Sequence, residues 1–460
     1  MNIIIRSNYI LPFVLFISML VLLILLIITE MGIMERVCLP FLITFFIGTC
    51  IYSLLHTICK DKFISKIYLI SILMHYVFIL FWEFLKYHLM GIHLPTDNTY
   101  IPFIIDNDGV NYHAEGVYLN NHFNFEHFQG NMYGGLFPRI IGVVYHYFGN
   151  NPFLISCINT TLAGFSATLY YLIGKATLPN IDIAKIFALF SIANFSHIMN
   201  TSTLMRDNYI VLLIYCAIVA SYYFYKSKNI LYIFLTLLSL YGLYLFRPYA
   251  AYIIFAAIAI GYAVQNIRIR RKKNSISMNK IAIALIVLSP LLLVLLAFLF
   301  NMLTHSFGTI LSVEDVIAIR ESAYVGSNTD YSWDFGKLYG IFPLLPFIVG
   351  YICLFFAPFP WEWVLVRRMV YVPDMLILYC FLPSFIKNLK LAIFGKQYYL
   401  TVFFFSMLIM FTIYSITLGN SGSIQRLRGP YISMIYLIAM YRPDKFLSRI
   451  LNKIQQWRIV

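Results

Sequence analysis

Long apolar stretches alternate with short polar segments along most of the chain. A membrane-spanning helix needs about 20 consecutive apolar residues, and four clear windows of this kind are Leu11–Thr29, Val37–Cys59, Ile67–Tyr87 and Ile281–Phe300. Counting one span per window predicts an all-α polytopic membrane protein with about twelve transmembrane helices. No small-residue cleavage pattern follows the first window, so we expect it to remain as a helix rather than to act as a signal peptide.

Two further apolar segments are predicted not to cross the membrane. Gly135–Phe148 is short and is interrupted by Pro138, Arg139 and Gly142, which favours a juxtamembrane helix on the outer surface. Tyr339–Trp361 contains four prolines. Because irregular backbone at membrane depth must be enclosed by protein, this second segment is predicted to be re-entrant or interfacial.

The composition indicates that lipid is the solvent of this chain. Of its 460 residues, 61% are hydrophobic and only 11% are charged, whereas soluble proteins carry about a quarter charged residues. The net charge of +14 does not indicate nucleic-acid binding, because cytoplasmic loops of membrane proteins carry an excess of Lys and Arg. The seven cysteines lie in apolar stretches without a CxxC pair, which argues against a disulfide framework and a cysteine-based zinc site.

The distribution of basic residues predicts an orientation. The most basic segment, Arg268–Lys273, is expected in the cytoplasm. Alternating the spans from there places both termini in the cytoplasm. It also places two long polar loops, His88–Asn151 and Asn301–Lys337, on the extracytoplasmic side, and loops of this length usually carry function.

The first outer loop contains three carboxylates within a stretch of ten residues: Asp106, Asp108 and Glu115. One interpretation is structural, because a carboxylate at the start of a helix accepts hydrogen bonds from free backbone N–H groups. The other is catalytic, because a carboxylate at the membrane surface can act as a general base toward an acceptor hydroxyl. Asp106 and Asp108 are the candidate bases, with Glu115 third. Tyr112, His113 and Glu115 are also candidate contacts to a sugar.

Five arginines are predicted at the outer ends of spans, where the positive-inside bias does not favour them. They are Arg139, Arg206, Arg247, Arg426 and Arg428. Each could extend to lipid headgroups, with Asp207 neutralising Arg206. One shared anionic ligand explains the whole set better, and guanidinium groups match phosphate oxygens in a bidentate manner. These side chains are therefore predicted to bind the phosphate of a polyprenyl lipid.

Several chemistries lack their sequence signals. Six histidines fall in the first outer loop, but their spacing does not match a metal site and no HExxH is present. No Walker loop, dinucleotide fingerprint or Gly-x-Ser-x-Gly elbow occurs. We therefore expect no cofactor and no nucleotide, and a divalent metal is not indicated.

From the third predicted span onward, the layout resembles the GT-C membrane glycosyltransferases, especially those of protein-mannosyltransferase type. In that family an outer loop with an acidic residue near its start follows the first core span, and two juxtamembrane helices lie in the loop. Here the stretch Asp106–His113 follows Ile67–Tyr87, and Val110–Phe128 and Gly135–Phe148 stand where the two helices are expected. The resemblance covers roughly residues 67–340.

The resemblance divides the chain into four parts. Residues 1–66 would form two accessory helices, 67–300 a seven-helix core with the outer loop 88–151, 301–370 an outer loop with the re-entrant or interfacial segment, and 371–460 the C-terminal helices and cytoplasmic tail. The accessory helices depart from the family. So does the order Asp-Asn-Asp, where the mannosyltransferases have adjacent acidic residues.

The resemblance implies a bacterial inner-membrane enzyme that transfers a sugar from a polyprenyl-phosphate-linked donor on the extracytoplasmic face. Asp106 or Asp108 would be the base, and the outer arginines would hold the lipid phosphate. The product would belong to a cell-surface polysaccharide such as O-antigen, capsule or lipopolysaccharide. The expected partners are the lipid-linked sugar or oligosaccharide and membrane lipids, with no nucleic acid and an oligomeric state left open.

Two alternative functions share the membrane and the lipid carrier. One is an O-antigen-type polymerase that joins repeat units linked to undecaprenyl pyrophosphate, which suits the several outer arginines. The other is a flippase for lipid-linked oligosaccharides. A transporter is expected to have two repeated halves and ionisable residues near the membrane midplane, and the sequence indicates neither.

Overall fold

The structure is a computed structural model that describes residues 10–29, 34–88, 107–123, 135–271, 335–342, 344–362, 369, 371–417 and 421–456. These ranges are helical and contain no β-strand. The chain divides into two compact units. Unit 1 comprises Met1–Val219, Phe234–Pro248 and Lys445–Val460, and unit 2 comprises Ala220–Ile233 and Tyr249–Asp444.

The α-helices of the described ranges follow in chain order. They are α1 (Ile10–Thr29), α2 (Leu39–Ile58), α3 (Lys62–His88), α4 (Asn107–Asn121), α5 (Phe137–Phe148), α6 (Pro152–Thr177), α7 (Ile181–Ile192), α8 (Phe195–Ser202), α9 (Asp207–Ser227), α10 (Ile230–Phe246), α11 (Pro248–Arg271), α12 (Phe335–Ile341), α13 (Leu345–Phe356), α14 (Val372–Phe394), α15 (Tyr398–Thr417), α16 (Ser421–Tyr441) and α17 (Lys445–Gln456). A π-helical turn at Met34–Cys38 and a 3-10 turn at Pro360–Glu362 complete them.

Seven helices of the described ranges are long and apolar enough to cross a membrane. They are Arg36–Ile58, Lys62–Leu85, Pro152–Thr177, Asp207–Ser227, Pro248–Asn266, Val372–Phe394 and Tyr398–Ser415. Helices α7 and α8 form an eighth candidate if they are one span, bent by 58°. The protein is therefore an all-α polytopic membrane protein, as the hydropathy pattern predicts.

The number of twelve spans is not confirmed. Three further helices contribute only shorter apolar stretches, at Pro12–Ile24, Ile230–Phe246 and Leu345–Phe356. The predicted span Ile281–Phe300 and the predicted outer loop Asn301–Lys337 lie almost wholly outside the described residues.

The two segments predicted not to cross the membrane form short helices. Helix α5 has 12 residues and is about 18 Å long, which is shorter than a hydrocarbon core of about 30 Å. It buries Phe137, Ile141 and Tyr145 on one face, while Tyr147 and Phe148 are about 70% exposed. The proline-rich segment forms α13, which also has 12 residues.

Close packing of α3 on α6 forms the centre of unit 1. Gly164 on α6 faces Tyr68 on α3, and the Tyr68 hydroxyl donates a hydrogen bond to the carbonyl of Thr161 at 3.3 Å. A glycine with no Cβ allows the ring to lie directly against the helix backbone. Small residues at helix contacts are typical of membrane proteins, because backbones can then approach closely.

Replacing Gly164 by alanine should lower the thermal stability of the protein. The added Cβ would lie 2.5 Å from two ring carbons of Tyr68 and 2.9 Å from Ile72 Cγ2, and overpacking of this kind costs about 1–3 kcal/mol. Thermal unfolding of the full-length protein in detergent measures the change. Gly429→Ala is the matched control, because its added Cβ would meet no heavy atom within 4 Å. Equal melting temperatures of the two variants would contradict this packing.

Candidate functional site

Helices α4 and α5 pack closely because two glycines face each other's helix. A Cβ added to Gly116 on α4 would lie 2.3 Å from Ile141 Cγ2, and a Cβ added to Gly142 on α5 would lie 2.7 Å from Leu119 Cβ. A hydrogen bond of 2.8 Å between His113 Nδ1 and the Tyr145 hydroxyl joins the same two helices. The predicted juxtamembrane helices therefore pack directly against each other.

The hydrogen bond between His113 and Tyr145 is buried. His113 is 5% exposed and Tyr145 is 1% exposed. Burial raises the pKa of the Tyr145 phenol above its usual range, so the hydroxyl keeps its proton and can donate it to the imidazole. His113, predicted as a sugar contact, is thus used in joining α4 to α5.

The entry to α5 is fixed to the end of α10. Leu136 N donates a hydrogen bond of 3.1 Å to the Leu245 carbonyl. Gly135 precedes it with φ of +68°, a conformation that favours glycine. A Cβ at Gly135 would lie 2.5 Å from the same carbonyl oxygen, so the close approach also requires glycine.

Arg206 contacts α4 and the end of α10 at once. Its guanidinium carbon lies 5.8 Å from the ring centroid of Tyr112, and its Nη1 donates a hydrogen bond of 2.9 Å to the Phe246 carbonyl. Tyr112 is fully buried, and its ring meets Phe137 edge to face at 5.3 Å. A guanidinium over a buried tyrosine ring is a favourable cation–π contact.

The residues that follow Arg206 and Phe246 in sequence form a buried ion pair. Arg247 Nη2 lies 3.3 Å from Asp207 Oδ1, and the side chains are 4% and 3% exposed. We call Tyr112, Arg206, Asp207, Phe246 and Arg247 the arginine cluster. It places one predicted phosphate ligand, Arg206, against the helix that carries the acidic residues, and it holds a second, Arg247, in an ion pair with Asp207.

Asp108 lies in the first turn of α4, which begins at Asn107. A negative charge is favourable there because of the helix dipole. Asp108, Tyr112 and Glu115 are spaced i, i+4 and i+7, so they share one stripe of the helix. Both carboxylates are half-buried. The stripe that bears them is therefore the one over which Arg206 lies. Asp106 lies outside the described residues.

The other three predicted arginines lie on other helices, α5 and α16. Arg139 is half-buried on α5 in unit 1, and Arg426 is half-buried on α16 in unit 2. Arg428 is fully buried in unit 2 and donates hydrogen bonds to the carbonyls of Leu354 and Ala357, at 2.9 and 3.1 Å. These bonds, with those of its guanidinium to Gln425 and Met375, hold the end of α13 against α16.

A second polar group lies at the break between α7 and α8. Asn194 accepts a hydrogen bond from His197 N at 2.9 Å and so caps α8. His75 on α3 lies beside this break. Its Nδ1 is 2.7 Å from the Ser71 carbonyl and its Nε2 is 2.8 Å from Thr201 Oγ1.

The rings of His75 and His197 are both buried, and their centroids are 6.1 Å apart. Both histidines lie on helices that are candidates to cross the membrane, α3 and the bent pair of α7 and α8. The sequence contains one histidine in each of these two apolar segments, and a lone histidine in a predicted span is only a weak indication of a buried polar group. Amide side chains of Asn159 and Asn208 are buried near the start of α9, where Asn159 Nδ2 donates to the carbonyls of Thr203 and Met205.

Within the described ranges, no three His, Cys, Asp or Glu side chains come together as a metal site. No protein-family model, curated protein or solved structure matches this chain. The protein is thus a polytopic helical membrane protein, and the arginine cluster with the stripe of α4 forms its candidate functional site.

Proposed function

We propose that the protein is a membrane glycosyltransferase that uses a polyprenyl-phosphate-linked sugar on the extracytoplasmic face and contributes to a cell-surface polysaccharide. The observation that carries this proposal is the contact between Arg206 and Tyr112. It brings a guanidinium, suited to a phosphate, onto the stripe of α4 that bears Asp108 and Glu115. A base and an anion ligand are the two groups that such a transfer needs.

In the proposed reaction Asp108, or Asp106, takes the proton of the acceptor hydroxyl. The acceptor oxygen forms a bond to the anomeric carbon, while the bond from that carbon to the phosphate oxygen breaks. The phosphate leaves with the bonding electron pair, and the charge of Arg206 stabilises it. Direct displacement of this kind inverts the anomeric configuration.

The buried pair of Asp207 and Arg247 has a supporting role in this scheme. Because each charge is almost fully removed from water, the pair stays in place only while both partners are present. It fixes the junction between the start of α9 and the end of α10, where the Phe246 carbonyl accepts a hydrogen bond from Arg206. The pair thereby positions Arg206 beside the lipid phosphate.

The sidedness of the reaction follows from the proposed topology of about twelve spans, one per apolar window, in the bacterial inner membrane with both termini in the cytoplasm. The basic segment Arg268–Lys273 supports this orientation. It would put α4 and α5 on the extracytoplasmic face. The leaving polyprenyl phosphate would then remain in the outer leaflet.

A cysteine introduced at Tyr118 should react with a membrane-impermeant maleimide added to intact spheroplasts. Tyr118 is 48% exposed on α4, and no substitution of a buried contact is involved. Lys453→Cys, on the exposed side of α17, should react only after the membrane is permeabilised. Labelling above that of the wild type is the measurement. The reverse pattern would contradict the orientation.

Deletion of the gene, followed by structural analysis of the surface polysaccharide, tests the function itself. Loss of one sugar from an otherwise intact polymer supports a single-sugar transferase. Loss of the polymer with one repeat unit retained supports the O-antigen-type polymerase. An unchanged polysaccharide would contradict both forms of the proposal.

A transporter of lipid-linked oligosaccharides is the second candidate, and the broken span favours it. Discontinuous helices with buried polar groups build the sites of many transporters. Helices α7 and α8 meet at 58°, and His75 and His197 are buried beside the break. Movement of a fluorescent polyprenyl-linked oligosaccharide across liposomes, in the absence of any sugar transfer, would establish this candidate and exclude the first.

A further inference from the structure

Helix α17 presents two different faces. Leu447 and Leu451 are each 1% exposed, and the helix contacts α7 of the same unit. Lys445, Arg449 and Lys453 are exposed. Their spacing of four residues puts the three positive charges on one stripe, centred about 180° around the helix from the two buried leucines.

An exposed apolar ring lies directly beside this stripe. Phe446 is 53% exposed and is one position from Lys445. Helix α17 contains no acidic residue. Among the described residues, no carboxylate forms an ion pair with any of its three basic side chains. The stripe therefore carries three positive charges next to an apolar surface, with one acidic residue, Asp444, directly before it in the sequence.

An anionic bilayer surface fits both the basic stripe and the exposed Phe446 ring. A helix that lies in the interface puts its basic side chains among headgroup phosphates and its apolar side chains among the acyl chains. A polynucleotide would bind the three basic side chains but would make no use of the exposed Phe446 ring. A purely apolar partner would contact the Phe446 ring but would make no use of the three positive charges.

We propose that α17 lies on the membrane surface and binds the headgroup phosphates of anionic phospholipids through Lys445, Arg449 and Lys453. The leaflet is the cytoplasmic one if the predicted orientation of the tail is correct. Each basic residue near an anionic surface strengthens binding by about fivefold. The three together therefore strengthen binding at least tenfold, even when their effects do not add fully. This site is independent of the proposed sugar transfer, because it involves α17 alone.

Hydrogen exchange of the full-length protein in nanodiscs tests this inference. One set of discs contains phosphatidylcholine alone, and the other contains phosphatidylcholine with phosphatidylglycerol. We expect amide exchange in 445–456 to slow at least about tenfold in the anionic discs. The variant Lys445→Gln/Arg449→Gln/Lys453→Gln should lose this protection and should keep the exchange rates of the wild type in zwitterionic discs, because Leu447 and Leu451 are unchanged.

The matched control removes the same charge from another exposed basic set. Lys387, Lys390 and Lys396 are exposed on and just after α14, and their triple glutamine variant should retain the lipid-dependent protection of α17. Equal loss in the control would show that only the total charge matters and would overturn the proposal. So would equal exchange of the wild type in the two bilayers, a comparison that holds even if the α17 variant unravels.

Inorganic phosphate distinguishes a lipid site from a site for free anions. Added to the protein in zwitterionic discs, it should not protect 445–456. Protection by phosphate alone, equal to that given by phosphatidylglycerol, would overturn the lipid assignment.

Discussion

Asp108→Asn should reduce the rate of sugar transfer by at least about a hundredfold, because a general base contributes 10²–10⁴-fold to such reactions. Asparagine has the size of aspartate and cannot take the proton of an acceptor hydroxyl. The lost charge in the first turn of α4 costs only about 0.3–1 kcal/mol of stability. Initial rates with the reconstituted full-length protein and a radiolabelled polyprenyl-linked donor measure the effect.

Asp182→Asn is the matched control for this substitution. Asp182 is 52% exposed and pairs with Lys185 on α7, away from the arginine cluster in sequence, and its loss should leave the rate unchanged. Full activity of Asp108→Asn would assign the base to Asp106. Full activity of the Asp106→Asn/Asp108→Asn variant would exclude a carboxylate base from this stretch.

Asp207→Leu should be among the most destabilising single substitutions in unit 1. It leaves the guanidinium of Arg247, which is 4% exposed, without its carboxylate. Breaking a buried ion pair in this way costs about 3–5 kcal/mol. Replacing both partners, in Asp207→Leu/Arg247→Met, should restore most of the stability, because apolar side chains of similar volume often replace a buried pair without loss. Thermal unfolding in detergent measures all three proteins.

The same pair of variants separates structure from activity. The stable double variant should still transfer sugar poorly, because the ion pair that positions Arg206 is gone. Asp182→Asn again gives the reference, since an exposed pair contributes about 0–1 kcal/mol. Wild-type stability of Asp207→Leu would contradict the buried pair, and wild-type activity of the double variant would remove Arg247 from the phosphate site.

Hydropathy predicts best the helices that can be recognised from the length of an apolar stretch alone. The windows Val37–Cys59 and Ile67–Tyr87 correspond to α2 and α3, because any helix across lipid must be apolar over that length. The break after α7 was not predicted. Residues 186–202 contain no charged side chain that would indicate an interruption, and a single asparagine at 194, the cap of α8, does not indicate a bend of 58°.

The composition of the site is harder to predict than its position. Arg206 and Tyr112 were each singled out as candidates, but their contact depends on how α4 packs against α5 and α10. In the sequence, Arg428 was grouped with the other arginines because of its charge alone. Its acceptors are backbone carbonyls at the end of α13, and only the three-dimensional packing of a proline-rich turn can supply them.

Cryo-EM of the full-length protein with a bound non-hydrolysable polyprenyl-phosphate sugar tests whether Arg206 and α4 hold the donor. We expect the phosphate oxygens within about 3 Å of the Arg206 guanidinium, with the anomeric carbon facing the first turn of α4. A lipid phosphate bound away from the arginine cluster, with no contact to Arg206 or to α4, would contradict it.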